Sequence, residues 1–341
     1  MIDESSIRAH LDHLIEAVSQ SSRGTADLRN VEQLITSITD LLNGPASSLD
    51  IKIASSALLE MTQAFTMFAP YRDVRKVTIF GSARTQPHEP IYERTIGAAK
   101  AIADSGFMVV TGAGPGIMEA GMMGAGVAKS IGVSIRLPFE TGANSIIAGD
   151  EKYVSMKYFF TRKLMLVKES HGFLCLPGGF GTLDETFELL TLAQTAKTVP
   201  IPIVFLELPG EPFWTPLMKS MEPILLEKGL ISENDTTLYL ITDDVNIAVS
   251  TITDFYRNYH SIRFVNDNLI IRMQRPIPSA AFELLARQHN AISDDTGIIQ
   301  RGPTKAEIRD NELLDMSRIS LKYVAKGFAD LRPIINDINT F

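Results

Sequence analysis

Leu176-Pro177-Gly178-Gly179-Phe180-Gly181-Thr182-Leu183-Asp184-Glu185 is the stretch that decides how this chain is read. It follows a short apolar run, Gly172 to Leu176, that reads as a buried strand, and it opens a helical pattern reaching about Lys197. Three glycines in four positions let the backbone turn sharply and approach a ligand. The helix that follows offers unpaired N–H groups and a positive dipole end, which favour an anion. Thr182 can cap that helix and donate to a phosphate oxygen. Glu185, one turn further in, is poorly placed to bind a phosphate and better suited to act on a sugar attached to it.

Working outward, the middle of the chain alternates strand and helix. Strands are expected at Val77–Phe80, Phe107–Thr111, Gly132–Leu137, Tyr153–Ser155, Phe173–Leu176, Ile201–Leu206 and Leu238–Ile241. Near-continuous apolar strands separated by helical patterns imply a parallel sheet covered on both faces. The expected fold is therefore α/β, a Rossmann-like doubly wound sheet of about seven strands. A helical extension (1–70) precedes this core (71–257), and an α+β appendage (258–341) follows it. In the appendage, Ile262–Val265 and Asn268–Met273 read as a hairpin through Asn266-Asp267.

Ligands of such sheets bind beyond the carboxyl ends of the strands. Two further loops fall there. Gly81 and Ser82 follow the first strand. Gly112-Ala113-Gly114-Pro115-Gly116 follows the second and leads into a helix carrying Glu119. The second loop is G-x-G-x-G, not the G-x-G-x-x-G of dinucleotide sites, and a mononucleotide or ribose role suits it better. Glu119 is a candidate ribose contact or a helix-surface carboxylate.

The string P-G-G-x-G-T-x-x-E resembles the signature of the LOG (lonely guy) phosphoribohydrolases, often labelled lysine-decarboxylase-like. A second signature of that family is an Arg-Lys pair on the preceding helix, and Arg162-Lys163 stands there. The resemblance covers about Lys76 to Ile231. It implies a Rossmann-like fold, a homodimer or larger homo-oligomer, and hydrolysis of the N-glycosidic bond of nucleoside 5′-monophosphates. Such cleavage passes through an oxocarbenium-like sugar. Glu185 is the candidate to stabilise that cation and orient water, and Arg162 to position substrate and restrain Glu185. Gly178, Gly179, Gly181 and Thr182 are candidates for the 5′-phosphate. Lys163, on another side of its helix, suits a structural role or a secondary phosphate contact.

The chain departs from compact family members at Phe159-Phe160-Thr161, where they carry Met-His-x, and at Thr191-Leu192-Ala193. AMP is accordingly easier to defend than a cytokinin-type nucleotide. The other reading is a non-catalytic nucleotide-binding or regulatory protein, since the fold also resembles molybdenum-cofactor carriers. Amino-acid decarboxylation would need a pyridoxal-binding lysine with its supporting set, which no feature marks.

Composition bounds the rest. The 341 residues are 45% apolar with net charge −8 and no basic-aromatic stripe, which argues against nucleic acid as a partner. A lone cysteine, Cys175, in a buried strand fits a reducing cytoplasm. The acidic start Met1–Ser6 lacks a signal-peptide pattern, and no apolar run is long enough for a membrane span. The expected chemistry calls for neither metal nor cofactor. His10 and His13, three apart without a third ligand nearby, read as surface residues.

Overall fold

The structure, a computed structural model, describes residues 4–20, 25–136, 142–325 and 327–341. Two compact units emerge, Met1–Leu59 and Glu60–Phe341. The first holds α1 (Glu4–Ser19), α2 (Thr25–Asn43) and the first half of α3 (Ser48–Phe68). The expected helical extension is thus strand-free among its described residues, and its helices α2 and α3 are joined by a turn at residues 44–47. Met1–Asp3 lie outside them, as does Leu137 at the end of the expected third strand.

The second unit carries a seven-stranded parallel sheet. Its elements run β1 (Lys76–Phe80), α4 (Pro90–Asp104), β2 (Met108–Thr111), α5 (Ile117–Ala125), β3 (Ser130–Ile135) and β4 (Tyr153–Met156). Then come α6 (Phe159–Lys168), β5 (Phe173–Cys175), α7 (Phe180–Gln194), β6 (Ile203–Leu206), α8 (Trp214–Glu227), β7 (Tyr239–Thr242) and α9 (Val245–Thr253). The spatial order is β4-β3-β2-β1-β5-β6-β7. The chain winds outward from β1 to β4, then returns to lay β5 on the free side of β1. The order reverses between β1 and β5, which places the ligand crevice of a doubly wound sheet there.

Successive side chains of a strand face opposite ways, and the core divides accordingly. Val77, Ile79, Val109, Leu174 and Val204 join one apolar cluster, while Phe80, Met108, Val110, Phe173 and Phe205 join another. Both faces being covered is why these strands read as unbroken apolar runs.

The remaining chain forms β8 (Tyr259–Val265), β9 (Asn268–Met273), α10 (Ser279–Gln288), β10 (Ile299–Arg301), α11 (Lys305–Arg309), β11 (Ser317–Leu321) and α12 (Leu331–Ile338). Its antiparallel sheet has the order β10-β11-β9-β8. The expected hairpin is present, with Val265 opposite Asn268 and Asn266 at φ 53°, a conformation asparagine tolerates. Leu269, Ile271, Ile319 and the buried stripe Leu331, Ile334, Ile335 and Ile338 belong to the same apolar cluster as Val77 and Ile79. The C-terminal sheet therefore shares its core with one face of the parallel sheet.

Candidate active site

Three loops leave the carboxyl ends of β1, β2 and β5, and backbone hydrogen bonds tie them together. Ser82 N–H donates to the Pro177 carbonyl at 3.1 Å, and Ile117 N–H donates to the Ser82 carbonyl at 3.0 Å. Gly116, between these bonds, has φ 66°, and a Cβ there would lie 2.4 Å from the Ser82 carbonyl oxygen. That position requires glycine for conformation and for space alike.

The third loop ends in α7, whose N-cap is Gly179 with no side-chain capping bond. Thr182, expected to cap, instead stands inside the first turn and is buried. Its hydroxyl packs toward Gly178, where an added Cβ would meet Oγ1 at 2.2 Å. The space beside Gly179 and Gly181 is open to at least 4 Å. Unpaired N–H groups of a fifteen-residue helix thus face room for an anion, beside the sheet's reversal point.

Glu185 projects from the second turn of α7. Arg162, from α6, brings Nη1 to 3.4 Å from Glu185 Oε1, with the two side chains 9% and 13% exposed. Arg162 Nε donates to the Val133 carbonyl at 3.1 Å, which fixes the guanidinium against β3. Burial pushes the Glu185 carboxyl above its ordinary value, opposed by the charges of Arg162 and Lys163 and reinforced by Asp184 and Glu188. A carboxylate held this way is poised for charge stabilisation or proton transfer in a low-dielectric cleft.

The second loop shapes the same cleft. A Cβ on Gly112 would lie 2.2 Å from Arg162 Nη2, and one on Gly114 would lie 2.6 Å from Met118 Cε. Glu119, in the first turn of α5, accepts a hydrogen bond from the Tyr92 hydroxyl at 3.2 Å. Lys163 faces away from Arg162, with Nζ 2.7 Å from Asp184 and 3.0 Å from Glu188, so it links α6 to α7. Cys175 is fully buried, its thiol pushed up to about 12 by burial, and its carbonyl accepts the Trp214 indole N–H at 3.0 Å.

Sequence reasoning missed Glu60. This carboxylate on α3 is 3% exposed. It accepts from Lys157 N–H at 2.7 Å, Tyr158 N–H at 3.4 Å and the Thr161 hydroxyl at 2.8 Å. The helix α6 lacks a cap of its own at Tyr158. Glu60 therefore supplies an anionic cap from elsewhere in the chain, immediately before Arg162. One signal was legible: Glu60 is the single charged residue between Lys52 and Arg72.

Residues 108–252 match the family described as "possible lysine decarboxylase". The matched segment is similar to the LOG-like, lysine-decarboxylase-like family over less than half of the chain. No curated protein matches the sequence. Among solved structures, the molybdenum cofactor binding protein of Rippkaea orientalis is 17% identical, covering 52% of this chain and 94% of its own at TM-score 0.37. The molybdenum cofactor carrier protein of Chlamydomonas reinhardtii is 20% identical, with coverages of 52% and 94% and TM-score 0.36. DNA processing protein A of Helicobacter pylori is 19% identical, with coverages of 52% and 79% and TM-score 0.36. Among the described residues no helix is long and apolar enough to cross a membrane.

Proposed function

We propose that this protein is a nucleoside 5′-monophosphate phosphoribohydrolase, releasing free base and ribose 5-phosphate. The observation that carries the reading is the buried Arg162–Glu185 pair beside a glycine-lined helix N-terminus. The open face at Gly179 and Gly181 takes the 5′-phosphate on the N–H groups of α7. The tethered ribose then places its anomeric carbon near Glu185, which stabilises positive charge as the C–N bond breaks. Water adds to the anomeric carbon and gives up a proton, and the departing base is protonated. Arg162 restrains the Glu185 carboxylate and offers donors to the sugar or phosphate.

A pure binding protein has no use for a desolvated carboxylate at this point, which favours the enzyme over a cofactor carrier. AMP is the proposed substrate. The outer face of α6 exposes Phe159, Phe160 and Leu164, and the start of α7 exposes Phe180. A second copy of the chain is the proposed cover for this apolar surface, giving a homodimer. The lone buried thiol suits a reducing cytoplasm.

The test is incubation with a panel of nucleoside monophosphates and chromatography for released base. Base released from AMP but not from adenosine supports the reading. Saturable AMP binding without turnover would make the protein a nucleotide-binding module instead.

A further inference from the structure

A second cleft, of about 1030 Å³, lies at the amino ends of the inner strands of the parallel sheet. It is built where strands begin, from the segments preceding β1, β2, β5 and β6 and from the start of β8. The five residues of β1 separate it from the Gly81–Ser82 loop, a span of about 16 Å at roughly 3.3 Å per residue. It is thus a separate place from the candidate active site.

Its lining is cationic in a chain that is acidic overall. Arg72, Arg75 and Lys168 face it, together with the imidazole rings of His171 and His260. Arg75 is half-buried, stacked 4.4 Å over the Tyr256 ring, and has no carboxylate partner among the described residues. The next residue, Lys76, is 1% exposed. Its ammonium donates to the Tyr71 and Val74 carbonyls at 2.6 and 2.9 Å and likewise forms no ion pair among the described residues. Buried cations are ordinarily paired, so two adjacent unpaired ones leave a local positive potential. The carboxylates nearby do not cancel it. Glu312 is engaged by Arg263 and Arg272, Glu169 holds Lys168, and Asp73 is exposed.

The histidines report the same field. Burial pushes His171 down to about 4, helped by Lys76, Arg75 and His260. Burial also lowers His260, helped by Arg75 and Arg272. His171 Nδ1 accepts the Lys76 N–H at 3.3 Å, so in the neutral ring Nε2 carries the proton and is a donor. A planar guanidinium, a neutral imidazole N–H and further cations together match an anion of more than one charge and several oxygens.

We propose that this cleft is a second ligand site, taking a small phosphorylated molecule on Arg75, with His171, His260, Arg72 and Lys168 around it. The site stands at the far end of α6 from Arg162, because Lys168 is the last residue of that helix.

The probe is inorganic pyrophosphate, followed by calorimetry in metal-free buffer, with ADP as a second arm. Binding at the active site is removed by Gly181→Asp, which places a carboxylate in the open face of α7. We expect Gly181→Asp to retain one pyrophosphate site. Adding Arg75→Gln should weaken that site at least about tenfold, the scale of a lost charge-assisted contact. Pyrophosphate should also shift the His260 ring resonances in Gly181→Asp protein. If Arg75→Gln disturbs folding, the exposed pair Arg72→Gln and Lys168→Gln should produce the same weakening. Tighter binding of ADP than of pyrophosphate identifies a nucleotide as the occupant, and equal binding identifies a free phosphate compound. Loss of all binding in Gly181→Asp overturns the proposal. So does unchanged affinity in both cation variants. Failure of AMP hydrolysis would leave this result untouched, because its readout is binding.

Discussion

The guanidinium of Arg162 occupies the space that a side chain on Gly112 would need: an added Cβ would lie 2.2 Å from Nη2. The second glycine-rich loop thus lets an arginine from α6 pass over the end of β2 to reach Glu185. Gly112→Ala should push this flexible side chain aside and leave the fold intact. Turnover of AMP should fall about 10- to 100-fold, as expected for lost transition-state positioning, with the thermal midpoint little changed. Wild-type turnover would mean that Arg162 does not act from this position.

Replacing Glu185 by glutamine keeps the shape and removes the charge. Hydrolysis should drop by at least about 100-fold while AMP affinity stays near wild type, the pattern of a group acting mainly in the transition state. Single-turnover release of adenine, beside equilibrium AMP binding, separates the two effects. Near-normal hydrolysis would remove Glu185 from the mechanism.

The pH profile gives an independent check. Burial raises the Glu185 carboxyl above its ordinary 4.5, although Arg162 and Lys163 pull the other way. The ionised form is the active one in the proposed chemistry. Activity should therefore be lost as pH falls through a value above 4.5 and restored as pH rises past it. The limb should be absent from the residual activity of Glu185→Gln. A wild-type limb at or below the ordinary value would contradict the burial of this carboxylate.

The glycines of the site divide into two groups with opposite expectations. Gly116 has φ 66° and backbone atoms of Ser82 and Ala83 within 3 Å of any added Cβ. Gly116→Ala should destabilise the unit by about 1–3 kcal/mol or more, since backbone cannot step aside as a side chain can. Gly181 has open space around it. Gly181→Ala should leave the denaturant midpoint unchanged or slightly raised, and should weaken AMP binding by filling the room for phosphate. Equal loss of stability in both would show that the loop is packed and not open.

Much of this was legible in the sequence. The seven parallel strands were visible because burial on both faces makes each an unbroken apolar run, and their order fixed which loops converge. The Arg162–Glu185 pair was legible only through the family resemblance, whose two signature strings carry these residues. Thr182 was misplaced as a cap because the chain enters α7 at Gly179, so the threonine lies inside the first turn. Lys163 and Asp184 gave no sign of their pairing, since ion pairs between helices depend on packing angles that periodicity does not carry. The cationic cleft was invisible for the same reason: Arg75, His171 and His260 are 96 and 89 positions apart and meet only when the two sheets share a core.

Glu60 stands where the second compact unit begins. Its carboxylate takes two backbone N–H groups and the Thr161 hydroxyl at the start of α6, one residue before Arg162. Glu60→Ala would leave the Lys157 and Tyr158 N–H groups without their acceptor, at about 1–3 kcal/mol for each group left unsatisfied, while the Thr161 hydroxyl keeps the Tyr158 carbonyl at 2.8 Å. The first turn of α6 should loosen, and KM for AMP should rise with the loss of Arg162 placement. Glu60→Gln keeps an acceptor and should recover part of both effects. Truncations sharpen the point. Deleting residues 1–47 leaves α3 whole and should preserve AMP affinity within about threefold, as for changes remote from a site. Deleting residues 1–70 removes Glu60 together with the buried Ala64 and Phe68, and should abolish AMP binding or folding. Calorimetric titration of each truncation with AMP, beside its circular dichroism spectrum, decides between them. Normal binding by a folded protein lacking residues 1–70 would show that α6 holds Arg162 in place without its cap from α3.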